Sequence, residues 1–259
     1  MSVRQLALAL LVATPGTAAG ETAIWSAGTA RVLPDGRAEA GVFAPLRYGM
    51  RDRVELSVHP IWFAVAPNAG VKVAWGAPAG IALASQHGLV YPTPLMRLLS
   101  REGAGGIIPS DVRYPHVLTS AHHLLASAPL GDHLFTVRAG GRLAWNLTAF
   151  DGPRFWSEVE WHLVWPRAAA WFTGWSVDLG LASEGPVARR FRYRVELDRF
   201  FMPGLRGDWA WEWAAIAEWR RSERFRIRAG AKWSYAAFPY GTRLSIPLPL
   251  VDAIWAWGG

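Results

Sequence analysis

The sequence predicts an all-β fold, a closed antiparallel transmembrane β-barrel of about twelve strands. Three observations lead to this prediction: apolar residues recur at every second position, tryptophans lie near the ends of those segments, and the intervening positions combine arginine with glycine. Because alternate side chains of a strand point to opposite faces, each segment has one apolar and one polar face. A soluble β-sandwich also alternates, but a wet lumen tolerates arginine and glycine better than a packed core does.

The composition fits a folded chain with a large apolar surface. The 259 residues are 51% hydrophobic, which argues against disorder, and the absence of cysteine excludes disulfides, thiolate nucleophiles and Cys-ligated metals. The formal net charge is +7, and arginine carries nearly all of the positive charge because lysine occurs only at Lys72 and Lys232. Either an anion-binding surface or a compositional habit of the source genome explains this. The absence of a basic helix, a zinc-finger pattern or an RNP-like pattern argues against a nucleic-acid partner.

Residues 1–20 are predicted to be a signal peptide, and residues 21–259 a single outer-membrane barrel domain. Arg4 precedes the apolar stretch Leu6–Ala13, Pro15 ends it, and the small residues that a signal peptidase requires follow. The stretch is too short to span a bilayer, and the rest of the chain has no apolar run of about 18 residues. A soluble periplasmic β-protein is the alternative to an outer-membrane barrel in a Gram-negative bacterium.

The strands are predicted in chain order from the alternation. The first is Thr22–Val32, which passes through the turn Leu33–Gly36 into a second strand, Arg37–Arg47. The clearest segments follow, with the last strand at the end: Phe135–Leu143, Trp175–Ala182, Arg190–Asp198, Trp209–Arg220, Arg224–Tyr235 and Leu244–Trp257. Their lengths are close to the roughly 9–11 residues that cross the hydrocarbon at a tilt.

Strand counts of about ten or about fourteen are alternatives. Pro45, Pro60, Pro247 and Pro249 lie inside proposed strands, although a closed barrel has no edge that accommodates a residue without an N–H. The segment Arg154–Phe172 has strand-like aromatics and forms either an additional hairpin or one long projecting strand.

The predicted connections alternate along the chain between short and longer ones. The short ones are Tyr48–Asp52, Gly76–Gly80, Pro129–Asp132, Ser183–Ala188 and Arg221–Glu223. The longer or more apolar ones are Ala64–Asn68, Thr93–Pro115, Asn146–Thr173, Pro203–Asp208 and Ala237–Thr242. Outer-membrane barrels have short periplasmic turns and longer extracellular loops, so we expect both chain ends on the periplasmic side.

The two faces of the strands define two sets of candidate residues. The apolar face should form interfacial aromatic girdles with Trp175, Trp209, Trp211, Trp213, Trp219, Trp233 and Tyr235. The polar face should line the lumen with Arg138, Arg142, Asp178, Arg190, Arg192, Arg194, Glu196, Asp198, Glu212, Glu218, Arg226, Arg228 and Lys232.

Three segments carry a resemblance to a known class of barrels. Leu46–Leu56, which reads LRYGMRDRVEL, resembles the strand–turn–strand signature of bacterial outer-membrane barrels of the transporter-like or meta-pathway phenol-degradation type. Leu33–Arg37 resembles the start of an early strand in those proteins, and Arg221–Arg224 resembles a second copy of their periplasmic turn. The resemblance implies an outer-membrane location and passage of small molecules, and it brings no catalytic residues. Such barrels end on an aromatic residue that the barrel-assembly machinery recognises, whereas here two glycines follow Trp257.

The polar face predicts a porin-like or uptake channel for small, preferably anionic, solutes. Arginines on neighbouring strands would attract anions, as charged rings do in selective pores. The competing interpretation is a set of structural ion pairs, because a tight hairpin turn would place Glu218 opposite Arg226 and Glu212 opposite Lys232. Twelve strands fall between the roughly eight of a filled barrel and the 16–18 of an aqueous channel, so both an open pore and a barrel plugged by side chains or inserted loops are alternatives. The helical spacing at Leu95–Leu99 would let that loop fold inward or lie on the membrane.

Two further functions remain as alternatives. Some outer-membrane barrels are lipases or lipid A deacylases, and Ser85, His87, Ser120, His122 and His123 are candidate residues, but they form no complete catalytic set in the sequence. A non-conducting structural or adhesion barrel is the other alternative, with Arg97, Arg101, Arg113 and Arg154 meeting lipopolysaccharide phosphates. We expect no cofactor and no metal, since zinc-site spacings are absent and adjacent His122 and His123 point to opposite faces.

Overall fold

A computed structural model describes residues 26–103, 114–148, 166–203, 208–238, 241–244 and 247–259. The predicted signal peptide, Arg113, Arg154 and most of the aromatic segment Arg154–Phe172 lie outside these residues.

The described residues form twelve antiparallel strands in a closed barrel, which confirms the predicted fold class and strand count. The strands are β1 (Ala38–Gly41), β2 (Leu46–Met50), β3 (Val54–Val58), β4 (Asn68–Gly76), β5 (Ala82–Val90), β6 (Val117–Leu130), β7 (His133–Asn146), β8 (Trp175–Ala188), β9 (Phe191–Phe201), β10 (Trp209–Ser222), β11 (Phe225–Phe238) and β12, which has two segments (Gly241–Leu244 and Leu248–Trp257). Each strand pairs with the next, and β12 pairs with β1 from Ala38 opposite Trp257 to Gly41 opposite Ile254. This last pairing closes the sheet, so it has no free edge.

The helices of the described residues are short and lie between strands. They are α1 (Pro60–Phe63), α2 (Thr93–Leu99), α3 (Ala170–Thr173) and a 3₁₀ turn (Pro78–Gly80). In that part of the chain no helix has the length and apolarity that crossing a membrane requires. The helix α2 lies where the spacing Leu95–Leu99 predicted one.

The prediction for the first two strands was wrong. Residues 26–32 of the proposed strand Thr22–Val32 form turns and extended chain inside the barrel, and the other residues of that strand lie outside the described part. The proposed second strand, Arg37–Arg47, is two short strands, β1 and β2, joined by a corner. The Asp252 carboxylate holds this corner by accepting the backbone N–H groups of Phe43 and Ala44 at 3.0 and 2.9 Å. The total stays at twelve because one proposed strand is lost and another is divided.

The connections fall into two sets that mark the two ends of the barrel. We call the end at which β2 joins β3, β4 joins β5, β6 joins β7, β8 joins β9 and β10 joins β11 the turn end. The opposite end, at which β1 joins β2, β3 joins β4, β5 joins β6, β7 joins β8, β9 joins β10 and β11 joins β12, is the loop end. As predicted, the connections between β3 and β4, β5 and β6, β7 and β8, and β9 and β10 are longer than any at the turn end, but those between β1 and β2 and between β11 and β12 are as short as the turns. One predicted turn, Ser183–Ala188, is instead the last part of β8, which carries a bulge between Pro186 and Ala188.

The turn between β2 and β3 explains the sequence signature LRYGMRDRVEL. Arg51 and Asp52 both have left-handed backbone conformations, with φ of 54° and 51°. Asp35 and Asp52 stabilise this turn reciprocally, since the Asp35 carboxylate accepts the Arg51 N–H at 2.6 Å and the Asp52 carboxylate accepts the Asp35 N–H at 2.8 Å. Leu33–Arg37 and Leu46–Leu56, two of the three segments that carried the resemblance, are therefore neighbours at the turn end.

Candidate functional site

The inward face of the barrel carries most of the polar residues named from the sequence. On β6 to β11 the inward positions carry most of the buried charged residues, while the outward positions are mostly apolar and exposed. The inward positions hold Arg138, Arg142, Asp178, Arg192, Arg194, Glu196, Asp198, Glu212, Glu218, Arg226, Arg228 and Lys232. Arg190 differs from the prediction, because it lies exposed in the turn between β8 and β9 rather than on a strand.

Glu218 joins three arginines on the hairpin of β10 and β11. It contacts Arg220 at 2.6 Å, Arg226 at 2.7 Å and Arg228 at 2.8 Å. The predicted register was off by two residues, since Glu218 lies opposite Arg228 and Lys232 lies opposite Ala214. The turn occupies residues 223–224 and a bulge follows Arg220, so the strands slide past the predicted alignment. The pairs still form diagonally, and Lys232 Nζ lies 2.5 Å from Glu212.

Asp178 is the centre of a second group on β6 to β9. Its fully buried carboxylate contacts Arg142 at 2.6 Å, the His123 ring at 3.1 Å and Arg138 at 3.6 Å. Arg138 also pairs with Asp198 at 2.6 Å. Most arginines of the predicted ladder therefore have carboxylate partners, as the structural ion-pair interpretation expects, and buried charges require such partners.

A loop residue, Arg167, enters the lumen at the loop end. Arg167 reaches inward to Glu212 at 2.6 Å and to Asp198 at 3.7 Å, and its guanidinium lies 5.2 Å from the centre of the Phe200 ring. Burial by itself would lower the pKa of Arg167, but Glu212 and Asp198 outweigh that effect and raise this pKa above its usual value. Beneath it a buried apolar cluster contains Ala169, Phe200, Met202, Ala210 and Ala236.

The chain before β1 enters the lumen at the turn end. We call residues Ser26–Pro34 the inner segment. Lys72 donates to the carbonyl oxygens of Ser26 and Thr29 at 3.1 and 3.4 Å, and Arg194 donates to those of Ala27 and Gly28 at 3.1 and 3.2 Å. Basic wall residues thereby satisfy the carbonyl groups of a segment that has no strand partner.

The inner segment also donates to the wall. The Glu55 carboxylate accepts the Leu33 N–H at 3.1 Å, and the Ser127 hydroxyl accepts the Ala30 N–H at 2.9 Å. Glu55 in turn pairs with Arg47 at 3.2 Å and Lys72 at 3.3 Å. The sequence offers one signal for this placement, because the run Ser26–Ala30 contains only small residues, which fit a narrow space.

The lumen contains a small cavity. A cavity of about 180 Å³ lies beside the inner segment, lined among others by Ala27, Arg47, Lys72, Arg226 and Arg228. Sites for drug-sized ligands have about 300–1,000 Å³, so only a small solute or a few water molecules fit here. In the described part of the chain no group of three or more His, Asp or Glu side chains is placed to hold a metal ion.

The outward face is apolar and bears aromatic residues toward both ends. The predicted girdle residues occupy outward positions, with Trp175 at 45% exposure and Tyr235 at 42%. Trp213 stacks on Trp233 with ring centres 6.5 Å apart. An outward arginine that the sequence did not single out, Arg199, lies about 5 Å from the ring centres of Phe201, Trp209 and Trp211.

The candidate catalytic residues divide between the two faces. His123 points inward to Asp178, whereas Ser85, His87, Ser120 and His122 occupy outward positions on β5 and β6. The His122 Nε2 atom lies 2.9 Å from the Ser120 hydroxyl, and its Nδ1 atom lies 2.9 Å from Nδ1 of His87. The structure thus brings together three of the five residues, a juxtaposition that depends on strand register and was not visible in the sequence.

Comparisons with known proteins find similar barrels among solved structures. Outer-membrane expressed OmpT of Vibrio cholerae has 11% identity and a TM-score of 0.45, with 82% of this chain and 64% of that chain covered. OccK1 (OpdK) of Pseudomonas aeruginosa has 14% identity and a TM-score of 0.40, covering 91% and 59%. OccAB4 of Acinetobacter baumannii has 8% identity and a TM-score of 0.39, covering 86% and 50%. This chain therefore spans less than two thirds of the length of these proteins.

No protein-family model matches the chain, and no curated protein matches it. The resemblance to barrels of the meta-pathway phenol-degradation type accordingly stays a prediction. The strand pairing of the chain itself defines its class, a closed twelve-stranded antiparallel β-barrel with a polar lumen and an apolar outer wall.

Proposed function

We propose that this barrel spans the outer membrane of a Gram-negative bacterium and passes small anionic solutes when the inner segment leaves the lumen. The apolar outer wall supports the membrane location, because a soluble protein rarely exposes a continuous apolar surface of this extent. The aromatic residues at both ends of that wall match the two interfaces of a bilayer. The turn end then faces the periplasm.

The charge of the lumen supports a preference for anions. Three arginines share Glu218, and two arginines and a histidine share Asp178, so basic groups locally outnumber carboxylates. An apolar wall focuses the field of such an excess and raises the local concentration of anions. Because most of these arginines are paired, the expected selectivity is modest.

The single observation that carries the proposal is the inner segment itself. It is held by side-chain hydrogen bonds from the wall and by no β-ladder, and a cavity of about 180 Å³ lies beside it. The bonds from Lys72 and Arg194 involve charged donors and contribute about 1.5–3 kcal/mol each, net of the exchange with water, while the bond to the Ser127 hydroxyl contributes about 0.5–1.5 kcal/mol. Water that enters the lumen can replace them, so the segment is a removable closure.

A disulfide lock tests this closure. Ala30 of the inner segment packs in one buried cluster with Ala84 of β5, and the chain has no native cysteine. We expect the double variant Ala30→Cys, Ala84→Cys to conduct in planar bilayers when reduced and to lose at least about tenfold in conductance when oxidised. The single variant Ala30→Cys, treated with the same oxidant, is the matched control and should keep its conductance.

Two results would contradict the proposal. Equal conductance of the oxidised and reduced double variant would exclude the inner segment as the closure. Absence of conductance in the wild-type protein and in the reduced variant would favour a non-conducting barrel. A salt gradient across the bilayer measures selectivity, and a reversal potential of the cation-selective sign would remove the anionic solute from the proposal.

A further inference from the structure

A hydrogen-bonded chain of polar side chains lies on the apolar outer wall. We call Ser120 and His122 of β6 together with His87 of β5 the outer-wall triad. His87 lies directly opposite His122, and Ser120 precedes His122 by two residues on the same face of β6. Leu89, Leu124 and Leu143 surround the triad on this wall with about half of each side chain exposed. Polar groups are costly on a lipid-facing wall, so their presence here calls for a function.

The geometry suits activation of the Ser120 hydroxyl. For His122 to act as a base, its Nε2 must be unprotonated and accept the Ser120 hydroxyl proton. The ring proton of His122 then lies on Nδ1, which donates to Nδ1 of His87. His87 then fixes the tautomer and orientation of His122 and stabilises the imidazolium that forms, the part played by the third member of a nucleophilic triad.

The position of the triad suits a lipid substrate. Ser120 lies on one hydrogen-bonded row with Leu143 of β7 and Trp175 of β8, a member of the loop-end aromatic girdle. Aromatic girdles mark the depth of the bilayer interface, where acyl ester groups of lipids also lie. Gly141 lies opposite His122 and leaves the side of the imidazole uncovered.

Access to Ser120 is controlled by its neighbours. The serine is only 2% exposed because Leu89 and Leu143 flank it on the neighbouring strands, yet these two side chains are themselves 50% and 46% exposed. Exposed rotamers change within nanoseconds, so the two leucines can part to admit an acyl chain.

We propose that the outer-wall triad is a catalytic site that hydrolyses acyl esters of membrane lipids, an activity beyond the proposed channel and independent of it. Ser120 Oγ attacks the ester carbonyl carbon while its proton passes to His122 Nε2. The tetrahedral intermediate collapses, the lipid alcohol leaves with the proton from His122, and an acyl-serine remains. Water then attacks this ester with His122 again as base, which releases the fatty acid and restores Ser120.

The rate is expected to be low. β6 is paired on both sides at this level, so the backbone N–H groups near Ser120 are engaged in the ladder and give the oxyanion no preformed amide donors. Loss of one such donor lowers turnover by about 10²–10³-fold in a serine hydrolase. The assay must therefore detect slow release of fatty acid.

The test uses the full-length protein reconstituted in vesicles, with fatty acid release measured by mass spectrometry. One set of vesicles contains phosphatidylethanolamine and the other contains lipid A, which distinguishes the two sources of acyl esters. We expect release above protein-free vesicles on at least one of them, a loss of at least about 10²-fold in Ser120→Ala and His122→Ala, and about tenfold in His87→Ala. Ser85→Ala is the matched control, because Ser85 faces outward on β5 outside the triad and is similarly covered.

A second measurement keeps the test independent of folding. A long-chain alkyl fluorophosphonate should attach to Ser120 in the wild-type protein and in Ser85→Ala, and peptide mass spectrometry locates the adduct. The heat-modifiable gel migration of each variant shows whether its barrel is folded. Release no higher than in protein-free vesicles, or equal release by folded Ser120→Ala and the wild type, would overturn the proposal. Neither result bears on the disulfide lock, so the two proposals fail separately.

Discussion

At the scale of single residues, Gly49 sets how closely the inner segment approaches the wall. It lies on the inward side of β2, where its N–H donates to the Arg37 carbonyl oxygen at 2.8 Å and its carbonyl oxygen accepts the Gly36 N–H at 3.0 Å. A Cβ atom at Gly49 would collide with the Pro34 carbonyl oxygen and lie 2.8 Å from the Leu33 carbonyl carbon. The absence of a side chain here is therefore a steric requirement of the inner segment.

We predict that Gly49→Ala destabilises the protein by about 1–3 kcal/mol, the usual cost of overpacking against backbone. Urea unfolding in detergent micelles, followed by tryptophan fluorescence, measures this. Gly88→Ala on β5 is the control, since a Cβ there makes ordinary contact at 3.7 Å with the Ala69 carbonyl oxygen. Equal midpoints for Gly49→Ala and the wild type would show that the inner segment does not rest on β2 in solution.

Part of the outer-wall triad could be predicted from the sequence. Because successive side chains of a strand point to opposite faces, residues two positions apart share a face, so the common outward position of Ser120 and His122 was predictable. The partner His87 was not, because it is 35 residues away and its place opposite His122 depends on the register between β5 and β6. The alternation of side chains along one strand does not reveal which residues of two neighbouring strands lie opposite each other.

At the scale of elements, the hairpin of β10 and β11 depends on a carboxylate that three arginines share. We predict that Glu218→Ala destabilises the barrel by about 3–5 kcal/mol, because it leaves Arg226, whose side chain is 1% exposed, without its closest carboxylate. The midpoint of urea unfolding measures the effect. Glu223→Ala, an exposed change in the adjacent turn, should stay within about 0.5 kcal/mol of the wild type. Similar losses in both variants would assign the effect to the turn instead.

Elements with full-length alternation were predictable, and short or interrupted ones were not. Segments from β7 to β11 have continuous alternation and were placed within three residues of their observed bounds, except that β8 continues six residues beyond its predicted end. The first strands failed because β1 has four residues and β2 has five, too few for periodicity to mark a boundary. The corner between them depends on Asp252, which lies more than 200 residues further along the chain. A contact so remote leaves no local pattern.

At the scale of the whole molecule, chain segments that lie outside the strands enter the lumen from both ends. The inner segment lies at the turn end, and Arg167 of the connection between β7 and β8 reaches inward at the loop end. The alternation that revealed the wall carried no information about these two segments, so it could not decide between an open pore and a plugged barrel. The wall, in contrast, follows from the period of two alone, and its apolar side leads to a direct test of membrane depth.

The cost of a charge on the outer wall should depend on depth if the barrel spans a bilayer. Leu181 is 56% exposed and lies near the middle of the wall, opposite Val137 and Leu197. We predict that Leu181→Arg costs about 2–4 kcal/mol in vesicle-reconstituted protein, whereas Val187→Arg, near the turn end of the same strand, costs about 0–1 kcal/mol. Urea titrations of folding into phosphatidylcholine vesicles measure both. A protein with a water-exposed wall would tolerate arginine at either position, so equal and small costs would contradict the membrane assignment.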